Sequence, residues 1–177
     1  MRAAVFLDRD GVLNPLIEDE GELRSPRTRD EFELDESARD VVDRLQRAGY
    51  LVFVVTNQPD LARGYLPLPE LVAMNAEVRA RLNVDDLRVC PHDDDDQCEC
   101  RKPLPGMLHV LARRWGVDLS ESFMVGDTWK DVEAGRAAGC RTILLRRSYN
   151  EGVDADHVVE TLDEAVEVIG AHEAAHV

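Results

Sequence analysis

The segment Val5–Asn14, VFLDRDGVLN, ends an apolar run on two carboxylates, Asp8 and Asp10, one residue apart and followed at once by Gly11. Comparable groups close other apolar runs. Thr56 and Asn57 end LVFVVT, Asp127 follows SFMVG, and Asp131 stands one helical turn further on. Three or four carboxylates gathered in one cleft repel each other and need a cation. A donor set made only of oxygen favours Mg²⁺, which keeps waters and accepts a phosphate oxygen. Such an ion lets an anionic phosphate approach an anionic nucleophile. Asp8 would then attack phosphorus and form an aspartyl-phosphate. Asp10 would protonate the leaving oxygen and later activate water. The Thr56 hydroxyl and the Lys102 ammonium would meet the remaining charge on the phosphoryl group. Gly11 permits a tight turn with close backbone approach to a ligand.

A second constellation lies in CPHDDDDQCECRKP. Cys90, His92, Cys98 and Cys100 form a C-x-H, five intervening residues, then C-x-C. Three thiolates and one imidazole make a closed tetrahedral set that suits structural Zn²⁺ and leaves no open catalytic position. The alternative is a group of buried free cysteines beside a surface histidine. Arg101 and Lys102 follow Cys100 directly, so a metal there would pin Lys102 over the cleft. The DDDD tract is expected on the solvated outside of this loop. Cys140 reads as a small core residue. Trp129, beside Asp127, could wall the pocket or be an ordinary half-buried aromatic.

The elements that would position these groups alternate strand and helix. Strands are expected at 3–7, 51–56, 86–90, 122–127 and 140–146. LVFVVT is continuously apolar and rich in β-branched residues, as a strand buried on both faces should be. In SARDVVDRLQRAGY, Ala38, Val41, Val42 and Leu45 share a helical face, with Asp35 or Ser37 as N-cap and Gly49 as the stop. Further helices are expected near 68–82, 106–116, 130–139 and 161–170, with AHEAAHV fraying. This order implies an α/β fold: a doubly wound parallel sheet with helices on both faces and right-handed crossovers. Ligands of such sheets bind beyond the carboxyl ends of the strands, where the acids stand. A strand order of 3-2-1-4-5 would make the acid-bearing strands neighbours. Segments 15–34, 91–105 and 146–158 read as long irregular loops, which in a compact domain are usually functional.

The chain has 177 residues, expected to form one domain over 1–177. With 21 basic and 36 acidic residues its formal charge is −15, which argues against nucleic acid and anionic membrane as partners. An anionic substrate must therefore be drawn in by local cations. No apolar run approaches the ~20 residues of a membrane span. The expected location is the cytoplasm, with the four cysteines reduced.

DRDGVLN, TNQ, CRKPLPGM and VGDTWKDVEAGRAAG resemble the four motifs of the haloacid dehalogenase-like phosphatases, in chain order from residue 8 to residue 139. The resemblance implies the 3-2-1-4-5 sheet, Asp8 as nucleophile, Asp10 as acid/base, and Thr56 and Lys102 as stabilisers of the phosphoryl group. It implies Mg²⁺ held by Asp8, by the Asp10 backbone carbonyl and by Asp127, with Asp131 an orienting acid. The cysteine insert is similar to that of the family's heptose-bisphosphate and histidinol-phosphate phosphatases. These are small members, essentially without a cap domain and expected as monomers. The likeness implies a small phosphate ester bound by the loop after Asn14, by the segment after Thr56, beginning with Asn57, and by Arg101. Arg63 is a further candidate contact. Arg24, Arg27 and Arg29 could take a second phosphate or carboxylate, or lie on a solvated loop. TNQPDLARG departs from the usual T-N-Q-[SA]-G, and Thr128 stands where the heptose enzymes often carry lysine. A signalling receiver domain also clusters acids with a threonine and a lysine, but its acceptor lies on a later strand.

Overall fold

Ala4–Leu7 (β1) and Leu51–Asn57 (β4) are buried from end to end, apart from half-buried Asn57. They pair in parallel, Leu7 beside Val54, at the centre of a computed structural model that describes residues 2–174. Asp86–Cys90 (β5) flanks β4; Phe123–Gly126 (β6), Arg141–Leu145 (β7) and His157–Val159 (β8) continue the sheet beyond β1. All pairings in this six-stranded sheet are parallel. The expected 3-2-1-4-5 order is present and is extended by β8, whose first two residues fall in the expected loop 146–158. Only Val159 of β8 is buried, so its three residues carry no periodic signal.

Side chains alternate between the two faces of the sheet. Val5, Leu7, Val52, Val54 and Val125 meet helices Ala38–Arg47 (α1), Leu68–Leu82 (α3) and Leu162–Ala174 (α6). Ala4, Phe6, Phe53, Val55 and Met124 meet Gly106–Trp115 (α4). Helix α1 forms because Ala38, Val41, Val42 and Leu45 recur at helical spacing and are all buried. Ser37 is its N-cap residue, and Asp35 Oδ1 accepts from the Ser37 amide at 2.8 Å. Trp129–Ala138 (α5) covers β6 and β7; its Gly135 packs so close that a Cβ would lie 2.7 Å from that of Met124. Helix α6 extends further than expected, through Ala174, so the first four residues of AHEAAHV are helical and 175–177 lie outside the described residues.

The loop 15–34 also holds structure that its sequence did not suggest. Ile17–Asp19 (β2) and Glu22–Arg24 (β3) form an antiparallel hairpin, followed by a 3-10 turn at Arg29–Glu31. A short helix, Pro59–Ala62 (α2), starts directly after β4. No helix among the described residues is long and apolar enough to cross a membrane.

Candidate active site

The carboxyl ends of β4, β1 and β6 are neighbours in the sheet, and the acids that follow β1 and β6 converge. Asp8 follows β1 and is anchored by its amide, which donates to Val125 O at 3.0 Å. One oxygen each of Asp8, Asp127 and Asp131 lie within 4.8 Å of one another. Lys102 reaches into this group from the segment after the cysteine loop. Its Nζ lies 2.9 Å from Asp8 Oδ1 and 2.6 Å from Asp131 Oδ1, and donates to Val55 O at 2.9 Å. The lysine is 2% exposed.

Asp131 is the first-turn acid of α5 and folds back over the helix start. Its Oδ2 accepts from the Thr128 amide at 3.0 Å and from the Thr128 hydroxyl at 2.6 Å. Only glycine at 126 admits this, since a Cβ there would lie 2.1 Å from that of Asp131. Asp127 Oδ2 accepts from the Tyr149 hydroxyl, and its backbone carbonyl accepts from Asn150 Nδ2 at 2.8 Å. Asp127 Oδ1 is buried and has no hydrogen-bond partner among the described residues.

Asp10 turns a different way. Its carboxylate accepts from Arg9 Nε at 2.9 Å, Arg9 Nη2 at 3.1 Å, Asn14 Nδ2 at 3.0 Å and Gln58 Nε2 at 2.7 Å. The same Gln58 nitrogen lies 2.9 Å from Thr56 Oγ1. Arg9 is fully buried, packs over the Phe32 ring and donates to Asn75 Oδ1 at 2.9 Å. Arg9 and Gln58 therefore hold the acid/base candidate, and no sequence argument had singled them out. The available signal was an arginine in the middle of a buried strand end, which must find a partner.

Charge and burial set the electrostatics. Burial, with Asp131 and Asp127 adding repulsion, raises Asp8 well above the usual carboxylate range against the pull of Lys102. Burial and Asp131 push Asp127 up to about 6. Burial opposes the charge on Lys102, but Asp131 and Asp8 overcome it and hold its pKa above the ordinary lysine value. Burial also works against ionised Asp10, yet Arg9 and Gln58 leave it below the usual range. Three acids against one lysine leave an excess of negative charge that a divalent cation would neutralise. The unpartnered, buried Asp127 Oδ1 fits such an ion. The Asp10 carboxylate, already surrounded by four donor contacts, leaves only its backbone carbonyl for one.

Asn57 and Arg101 border the cleft, a cavity of about 330 Å³. Asn57 nevertheless uses its side-chain amide on Lys102, donating to Lys102 O at 2.9 Å and accepting from its amide at 3.1 Å. Arg101 Nε donates to Asp94 Oδ1 at 2.6 Å. Arg63 lies apart from the cleft and makes two 2.6 Å bonds to Asp93. The first two acids of the DDDD tract thus act as counter-ions rather than as a purely solvated face. Arg24 borders the cleft but is paired with Glu31 at 2.8 Å and Asp19 at 2.7 Å. Arg27 pairs with Asp60 at 2.7 Å, and Arg29 lies 3.7 Å from Glu77. Trp129 is 51% exposed and lies outside this cleft, on a groove beside Glu133 and Val153.

Cys90, His92, Cys98 and Cys100 come together as a metal-capable group. Neighbouring ligand atoms are 3.2 to 3.6 Å apart. Bonds of about 2.3 Å from one zinc would put sulfurs about 3.8 Å apart, close to this spacing. Cys140 is buried elsewhere, its thiol pushed up to about 12 by burial alone.

This constellation has close counterparts. Residues 5–139 match the model of a hydrolase family described as haloacid dehalogenase-like hydrolase. The chain is 41% identical over 150 residues to the D-glycero-beta-D-manno-heptose-1,7-bisphosphate 7-phosphatase of Pseudomonas aeruginosa, covering 82% of each chain. It is 36% identical over 162 residues to the Pseudomonas putida protein of the same name, covering 89% of this chain and 90% of that one. Among solved structures it is similar to D,D-heptose 1,7-bisphosphate phosphatase from B. bronchiseptica complexed with magnesium and phosphate. The TM-score is 0.83 at 32% identity, over 96% of this chain and 99% of that one. By fold, motif order and relatives alike, the chain belongs to the haloacid dehalogenase-like hydrolases.

Proposed function

We propose that the chain is a Mg²⁺-dependent phosphatase that removes the 7-phosphate of a D-glycero-D-manno-heptose 1,7-bisphosphate through an aspartyl-phosphate. One observation carries the reaction: Lys102 Nζ bridges Asp8 and Asp131 at 2.9 and 2.6 Å, at the mouth of three adjacent parallel strands. Similarity to relatives of that name supports the substrate.

Asp8 attacks phosphorus; the P–O bond to the sugar breaks, and Asp10 passes a proton to the leaving oxygen. Water then attacks the phosphoryl group and gives its proton to Asp10, releasing phosphate and regenerating Asp8. The donors around Asp10 favour its ionised form, which suits this second role. Lys102 and the Thr56 hydroxyl stabilise charge on the phosphoryl oxygens, and Asn57 holds the Lys102 backbone in register. Asp8, the Asp10 carbonyl and Asp127 would hold Mg²⁺, which would supply positive charge to offset the clustered acids and the phosphate. Cys90, His92, Cys98 and Cys100 would hold a structural Zn²⁺ that would fix the segment carrying Arg101 and Lys102. Arg101, freed from Asp94, contacts the substrate. The protein works as a cytoplasmic monomer.

Phosphate release with Mg²⁺ is measured from the heptose bisphosphate and from histidinol phosphate, with Asp8→Asn as the blank. A strong preference for the heptose and no turnover by the variant are expected. Preference for histidinol phosphate would overturn the substrate. Turnover by a clean Asp8→Asn preparation would overturn the nucleophile.

A further inference from the structure

The loop after β7 is outside all four sequence motifs, yet it grips the cleft at several points. Arg147 Nη2 donates to Gly11 O at 3.2 Å. Asn150 Nδ2 ties Asp127 O, at 2.8 Å, to Leu145 O, at 2.7 Å. Between them the Tyr149 hydroxyl donates to Asp127 Oδ2. The same carboxylate has its other oxygen, Oδ1, buried and without a partner among the described residues. Gly11 makes room for this pair: a Cβ there would lie 2.0 Å from Asp127 Oδ2 and 3.0 Å from the Tyr149 hydroxyl.

We infer that Tyr149 is a positioning residue for the divalent cation, holding Asp127 by Oδ2 so that Oδ1 alone is presented as a ligand. A carboxylate free to rotate can offer either oxygen, or both, and binding must then order it. A phenol donor on one oxygen removes that freedom in advance. Partners that orient metal ligands in this way typically change metal affinity by about 10–100-fold when removed. Asn150 holds the Asp127 backbone, and the Tyr149 hydroxyl restrains the two side-chain torsions that remain. Tyr149 is 41% exposed and lies outside the buried core, so Tyr149→Phe leaves the core packing in place.

This inference rests on the reading of the cleft as a magnesium site. The test is Tyr149→Phe, in the zinc-loaded protein, titrated with Mg²⁺ while the thermal midpoint is followed in the absence of substrate. Expected is an apparent Mg²⁺ affinity weakened about tenfold or more. In the steady state, half-saturating Mg²⁺ should rise by the same factor while kcat at saturating Mg²⁺ is retained. Mg²⁺ binding by Tyr149→Phe as tight as in the parent overturns the inference, whatever happens to kcat. If the parent shows no Mg²⁺-dependent midpoint, the magnesium reading itself fails, and with it the inference.

Discussion

Replacing Asp127 by Asn should make the magnesium-free protein more stable while destroying its use of magnesium. Folding raises this carboxyl from 3.8 to about 6, because it is buried beside Asp131. A carboxyl raised on folding adds stability below the unfolded value, loses it between pH about 4 and 6, and above 6 carries the full cost of its charge. At ~1.36 kcal/mol per pH unit, a shift of about two units costs about 3 kcal/mol at pH 8. Asn removes the charge and keeps an oxygen for the Tyr149 hydroxyl. For a chain of this size, about 3 kcal/mol corresponds to a midpoint higher by about 6–12 °C. The assay is calorimetric unfolding of parent and Asp127→Asn in magnesium-free buffer with zinc retained, at pH 8 and at pH 5. The gain should be largest at pH 8, shrink at pH 5, and narrow or reverse when saturating Mg²⁺ is added to both proteins. No gain at pH 8, or an equal gain at both pH values, would refute the electrostatic reasoning.

Two other substitutions probe the scaffold. Cys98→Ser should lower zinc content and thermal midpoint together and reduce turnover, since Lys102 is two residues beyond the cluster; unchanged stability, read with metal analysis, would remove the zinc assignment. Gly11→Ala should cost about 1–3 kcal/mol in chemical denaturation and weaken Mg²⁺ binding, because its φ of +86° is strained for alanine and its Cβ would meet Asp127.

The central sheet was legible because its strands are buried on both faces and read as unbroken apolar runs. Strand β8 and the β2–β3 hairpin were not, since each strand has three residues with at most one buried side chain. Asp8, Asp127 and Thr56 could be placed because strand ends in a parallel sheet are places of known meaning, and Lys102 because it directly follows the cysteine cluster. Tyr149 could not: it lies 22 residues beyond Asp127 in a loop with no periodicity, and only the fold brings them together. Arg63 and Arg101 are paired with Asp93 and Asp94, partners that the sequence alone does not reveal.

The buried Arg9 carries a consequence for which parts of the chain can drift. Its guanidinium links Asp10 to Asn75, on the inner face of α3, and rests on Phe32. Helix α3 is therefore more than packing, although it contributes no side chain to the cleft. A substitution at position 75 or 32 that loosened Arg9 would free the Asp10 carboxylate to rotate. Variation tolerated elsewhere along α3 should be restricted at these inner positions, and a library that redesigns this face must keep Arg9 seated before it can keep the chemistry.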